Sequence, residues 1–229
     1  HDNFKIRTEK WRVVVAAVPH DDPRFLFRFG QDPFIIHPGV HDGASLKVRF
    51  VFLALFNRAL MPVQIGECRE TLHGLAGQVA VVTGSARGIG AGIAKKFGAH
   101  GARVLVHGRE QEEGQQVVAA IRALGSEAEL LVGDLKEEAF CRVLIRHALA
   151  RFGRLDILVN NAAIYPRANL ETTSVALWDE ILAVNLRAPF ILCQEAVQLM
   201  KERRSGCIIN IGSVNAYVGL PKVFAYSVA

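Results

Sequence analysis

From residue 79 onward, short apolar runs alternate with longer stretches of mixed polarity. The runs are Val79-Ala80-Val81-Val82, Val104-Leu105-Val106 after Arg103, and residues 129–132, 156–159 and 207–211. A short apolar run bounded by turn residues fits a strand buried on both faces, as in a parallel sheet. The stretches between them, at 91–99, 111–124, 137–152 and 174–203, carry helical patterns. In 111–124, Val117, Val118, Ile121 and Leu124 recur at spacings of three and four, the stripe of an amphipathic helix. Strands alternating with helices predict an α/β fold: a doubly wound parallel sheet of about five strands with right-handed crossovers.

The first 60 residues follow no such period. Eight of the 13 Phe lie there, at 4, 25, 27, 29, 34, 50, 52 and 56, among frequent turn formers such as Pro19, Pro23, Gly30, Pro33, Pro38 and Gly43. Residues 11–18 and 25–29 are strand-like runs without a regular context. This part reads as an irregular N-terminal extension, residues 1–76, rather than a folded domain, followed by an α/β domain at 77–229. Inserting 11–18 beside the fifth strand would break ordinary topology rules. The fifth strand, with its apolar Cys207-Ile208-Ile209, is therefore expected at an open sheet edge, an invitation to self-association.

Composition narrows the function classes. Of 229 residues, 51% are hydrophobic and 21% charged, so the chain can bury a core and is not disordered. The net charge is +5, but no block of five basic residues occurs, and no nucleic-acid partner is expected. Cys68, Cys141, Cys193 and Cys207 form no CxxC pair and no zinc-ligand spacing, so no metal is expected and a reducing compartment is the simpler reading. No apolar run approaches a membrane span; the longest, 50–56, lies between Arg49 and Arg58. No leader pattern is visible at the start. A cytoplasmic location, without membrane contact, is the expectation.

The chemistry begins at the first strand's end, Thr83-Gly84-Ser85-Ala86-Arg87-Gly88-Ile89-Gly90. A loop that binds pyrophosphate must let its backbone approach closely, which a Cβ blocks, and must face a helix N-terminus with free N–H groups. Gly84, Gly88 and Gly90 sit where those demands fall. The spacing is G-x-x-x-G-x-G rather than the G-x-G-x-x-G of many dinucleotide folds.

This loop resembles the cofactor loop of the short-chain dehydrogenase/reductase family. So do Gly133-Asp134-Leu135, Asn160-Asn161-Ala162-Ala163, Asn185 and the Ser213/Tyr226 pair, in order and at suitable spacing over residues 77–229. Ala163 departs from the pattern, standing where the family usually has glycine; a backbone φ below zero there would accommodate it. The resemblance implies a Rossmann-type sheet and transfer of a hydride between a nicotinamide cofactor and a small alcohol or ketone. It implies cofactor contacts from Gly84, Ser85, Arg87, Gly88, Ile89, Gly90, Arg109, Asp134, Leu135, Asn161, Ala162 and Ala163. For the full-length form it implies a homo-oligomer.

The second strand ends His107-Gly108-Arg109-Glu110. An acidic residue there typically grips the ribose 2′-OH of NAD, and an arginine accommodates the 2′-phosphate of NADP. Gly108 stands at the acid's place and Arg109 follows, with Arg87 a second cation suited to phosphate. NADP is the expected cofactor. NAD is the alternative, because Glu110 is a rival for a ribose hydroxyl. Asp134, which the resemblance places on the adenine amino group, also reads as a turn or helix cap.

Reducing a ketone needs a proton for the developing alkoxide. A tyrosine hydroxyl supplies it once a nearby cation lowers its pKa. By resemblance Tyr226 is this acid/base, Ser213 holds the substrate carbonyl, and Asn185 on the long helix helps hold a water. The lysine of the family pattern would fall immediately after Ala229, the last residue. The expectation is a fragment of the enzyme with impaired activity, a non-catalytic nucleotide-binding module or an inactive truncated product being the alternatives.

Overall fold

In the computed structural model, which describes residues 11–18, 74–216 and 221–229, six parallel strands form one sheet. The strands are β1 (Trp11–Val18), β2 (Val79–Val82), β3 (Arg103–Gly108), β4 (Ala128–Val132), β5 (Ile157–Asn160) and β6 (Gly206–Ser213), in the spatial order β1-β6-β5-β2-β3-β4. Helices α1 (Gly88–Ala99), α2 (Gln111–Ala123) and α3 (Glu138–Phe152) connect successive strands from β2 to β5. Between β5 and β6 the chain forms α4 (Val175–Leu182), a π turn (Ala183–Arg187) and α5 (Ala188–Glu202). A short helix, α6 (Phe224–Val228), follows a 3₁₀ turn at Val214–Ala216.

Strand periodicity divides the core in two. Val79, Val81, Leu105, Leu158 and Ile208 face one side, against Cys141, Leu144, Ile145 and Ala148 of α3 and Ile191, Leu192 and Met200 of α5. Ala80, Val82, Val104, Val106, Ile157 and Val159 face the other, against Ile93, Ala94 and Phe97 of α1 and Val117, Val118 and Ile121 of α2. Residues i and i+2 share a face, so one run such as Val79–Val82 feeds both cores. This is the doubly wound α/β fold that the apolar pattern predicts. Among the described residues, no helix is long and apolar enough to cross a membrane.

Two expectations are corrected. The long helix of 174–203 is interrupted by the π turn around Asn185. The fifth strand of the regular series, β6, is not an open edge: β1 pairs with it in parallel, from Trp11 opposite Gly206 to Val18 opposite Ser213. Eight residues rich in Val and Ala satisfy the ladder groups that β6 would otherwise leave unpaired. The strand-like run 25–29 lies outside the described residues.

Among the residues whose side chains are described, both cores draw on the chain between Leu75 and Ile211. We propose that 77–229 is the folding unit and that residues 1–60 are dispensable for it. A polypeptide starting at Met61 is expected to melt cooperatively, yet to self-associate at micromolar concentration in sedimentation because β6 has lost β1. A non-cooperative, unfolded shorter form would refute the assignment.

At the amino-terminal end of the sheet, Asp156 is a knot. Its carboxylate, 8% exposed, accepts from Arg154 Nε and Nη2 at 2.7 and 2.8 Å, from Arg203 Nη2 at 2.8 Å and from the Val79 N–H at 2.9 Å. Burial pushes its pKa up. The hydrogen bonds from Arg154, Val79 and Arg203, with the charge of Arg203, outweigh it and hold the carboxyl below the usual range.

Candidate active site

The carboxyl ends of β2 to β6 open on one side of the sheet, the place where ligands lie in open α/β folds. Gly84 has φ +62° and Gly88 φ +57°, left-handed values that favour glycine. A Cβ on Gly84 would also stand 2.8 Å from Ala162 Cα. At Gly90 a Cβ would run into the Gly84 carbonyl and the Asn161 side chain. Helix α1 begins directly at Gly88, with an extended Arg87 before it, no side-chain cap and no acidic residue in its first turn. Its N-terminal N–H groups and positive dipole end face the loop.

The loop is braced from the next strand. Thr83 Oγ1 accepts from the N–H groups of Asn161 and Ala162, at 2.9 and 3.0 Å, and donates to the Val159 carbonyl at 3.2 Å. Asn161 Nδ2 donates to the carbonyls of Thr83 and Gly84, at 2.9 and 3.2 Å. Among the described residues, only Arg204 and Lys222 are non-glycine with positive φ, so Ala163 takes an ordinary conformation and its departure from the family glycine is accommodated.

On the other side, Ser85 joins β2 to β3. Its N–H donates to the His107 carbonyl at 2.7 Å, and its Oγ accepts from the His107 N–H at 3.0 Å. Gly108 lies beneath the loop: a Cβ there would stand 2.5 Å from Ala86 Cβ, so an acid at this position cannot enter without moving the loop. The neighbours of that contact, Arg87 and Arg109, are exposed, as is Glu110. Arg87, with a side chain 74% exposed, is within 3.8 Å of Glu113. Asp134 makes the turn that the sequence left open: its Oδ1 accepts from the Lys136 N–H at 2.9 Å, and Oδ2 lies 3.5 Å from Lys136 Nζ. Leu135 beside it is buried.

The three candidate catalytic residues come from three elements. Asn185 lies in the π turn and is fully engaged: Oδ1 accepts from the Ile164 N–H at 2.9 Å and Nδ2 donates to the Ile164 carbonyl at 2.8 Å. Its side chain therefore fixes the loop at Ile164, just after the Asn160–Ala163 segment, rather than pointing free. π turns of this kind recur at functional sites. Ser213 ends β6, and its Oγ accepts from the Asn215 N–H at 3.2 Å. Tyr226 sits half-buried on α6, with its ring 5.8 Å from that of Tyr165. Helix α6 packs on the 3₁₀ turn just after Ser213 and on α4, where Phe224 stacks with Trp178 at 5.8 Å. The Ala168–Val223 bridge and the Phe224 N–H to Ala168 carbonyl bond, at 3.3 Å, tie it to the loop after β5.

The whole ordered set matches the short-chain dehydrogenase family model over residues 78–229. The chain belongs to this family. An uncharacterized oxidoreductase of Thermotoga maritima is 39% identical over 153 residues, covering 67% of this chain and 60% of its own. A 3beta-hydroxysteroid dehydrogenase of Eggerthella lenta is 35% identical over 155 residues, with 67% and 59% covered. The chain thus spans about 60% of the length of these relatives. A metagenomic short-chain oxidoreductase, solved in complex with NADP, superimposes with a TM-score of 0.65 at 41% identity, covering 67% of this chain and 70% of that one.

Sequence reasoning missed Thr83 and His107. His107 had a signal, a polar residue inside the apolar run Val104-Leu105-Val106-His107-Gly108.

Proposed function

We propose that these residues form the cofactor-binding half, and part of the catalytic half, of an oxidoreductase that interconverts an alcohol and a ketone with a nicotinamide cofactor, NADP in preference to NAD. The observation that carries this reading is the cradle over α1: positions 84 and 90 leave no room for a Cβ, and the helix start is uncapped. Gly84, Ser85, Gly88, Ile89 and Gly90 would hold the pyrophosphate there. Asp134 and Leu135 would flank the adenine, with Asn161, Ala162 and Ala163 supporting the loop from below. Arg109 and Arg87 would meet the 2′-phosphate, and the clash an acid at 108 would make with Ala86 favours the same choice. The bound cofactor would supply or accept the hydride.

On the substrate side, the Ser213 hydroxyl would hold the carbonyl oxygen and Tyr226 would give or take its proton. Asn185 would act through Ile164, as a positioning residue rather than one that touches substrate. The reacting group is a secondary alcohol or ketone, in keeping with the hydroxysteroid dehydrogenase among the relatives.

The test is titration of the 229-residue polypeptide with both cofactors by calorimetry. NADP is expected to bind at least tenfold more tightly than NAD, and Arg109→Ala to remove most of that difference. Equal affinities, or an NAD preference that Arg109→Ala leaves unchanged, would overturn the cofactor choice. The 229 residues include no lysine four places after Tyr226. Turnover of ketones with NADPH is therefore expected to be slight for this polypeptide, to rise in one lengthened at the C-terminus with that lysine, and to vanish in both with Tyr226→Phe.

A further inference from the structure

His107 is 3% exposed and stands between the glycine loop and the turn after β4. Its Nδ1 accepts from the Gly84 N–H at 3.0 Å, and its Nε2 faces the Gly133 carbonyl at 3.3 Å. An N–H pointing at Nδ1 requires a lone pair there. The ring proton therefore sits on Nε2, where it donates to Gly133. Backbone bonds frame the same ring: Gly133 N–H donates to the Gly108 carbonyl at 3.1 Å, and Ser85 clamps the His107 backbone on both sides. Phe140 of α3 packs against the imidazole with centroids 5.6 Å apart.

We infer that His107 is a positioning residue of the cofactor site, a neutral imidazole strut that fixes the glycine loop relative to the Gly133–Leu135 turn. This rests on the reading of those two loops as the pyrophosphate and adenine sides of one dinucleotide site. The strut has a direction. One nitrogen must accept and the other donate, and the two loops are held at the separation an imidazole spans.

The surroundings favour the neutral ring. Burial pushes its pKa down to about 4; the Gly133 carbonyl and the charge of Asp134 resist this without overcoming it. From the other elements packed against the ring, Ser85 and Phe140 present no charge, and Asp134 is itself paired with Lys136. A histidine protonated only below its unfolded value favours the folded state less as pH falls from about 6.5 towards 4.

Two measurements test the strut. In the unmodified chain, long-range nitrogen–proton NMR is expected to show Nδ1 unprotonated and Nε2 protonated from pH 7.5 down to 5.5, with slow exchange of the Gly84 amide. In His107→Phe, which keeps a ring against Phe140 but loses both hydrogen bonds, NADP affinity is expected to fall ten- to a hundredfold while the melt stays cooperative. An imidazolium or the opposite tautomer at pH 7 would overturn the inference, as would a folded His107→Phe chain with unchanged NADP affinity. If His107→Phe fails to fold, the tautomer and the Gly84 exchange decide alone. If the unmodified chain binds neither NADP nor NAD, the cofactor reading falls, and with it the role assigned to His107, while the tautomer result still reports on the strut itself.

Discussion

Gly84→Val is expected to lose cofactor binding altogether, a drop of at least a hundredfold in affinity for NADP, and to melt at a lower temperature. Two independent faults meet at one atom. A β-branched residue is strained at φ +62°, and its Cβ would press on Ala162, the residue whose N–H reaches Thr83. The loop must then move away from the β5 segment, breaking the Thr83 and Asn161 brace. Gly92→Ala is the matched control: it is an exposed glycine of α1, the helix that follows the loop, with nothing within 4 Å of its Cβ direction, and it is expected to bind normally. Calorimetric titration of both variants gives the comparison. Undiminished binding by Gly84→Val would mean that the loop does not carry the cofactor.

Asp156→Ala is expected to be strongly destabilising although it lies away from the site, costing about 1–3 kcal/mol, the usual penalty for leaving a buried donor without its acceptor. Arg154 and Arg203 would lose their shared carboxylate, and the Val79 N–H would be left in a buried position without its acceptor. The pH dependence has a definite sign. A carboxyl with a depressed folded-state pKa stabilises fully above its unfolded value, near 3.9, and that stability is lost as pH falls through the lower folded value. Urea melts at pH 7 and at progressively lower pH are expected to show the gap between parent and Asp156→Ala closing below about pH 4. A gap that stays constant into acid would show that the side chain acts by packing alone.

The elements that the sequence made legible are those whose signal is local. An apolar run such as Val79–Val82 declares a strand buried on both faces, and the glycine spacing declares a loop that needs left-handed backbone and close approach. What stayed hidden depends on partners distant in the chain. His107 looks like a flaw in an apolar strand until Gly84 and Gly133, 23 and 26 residues away, are seen to flank it. Asn185 reads as an amide on a helix until Ile164 takes both of its polar atoms. The π turn leaves no mark in the apolar period of 174–203. Ordinary topology rules speak against Trp11–Val18 as a neighbour of β6, yet the unpaired ladder on β6 and a run rich in Val come together.

The hydroxyl of Thr83 has a consequence for detection. Because the Asn161 and Ala162 amides both end on that one oxygen, their exchange with solvent deuterium reports whether the glycine loop is open or closed. Any molecule that binds the closed loop shifts this balance by mass action, adding about 2.7 kcal/mol of protection at a hundred times its dissociation constant. The Asn161 side chain also donates to the Gly84 carbonyl, tying the two amides to the loop itself. They thus form a built-in sensor of occupancy, able to rank unknown ligands from mass spectra without any assay of turnover.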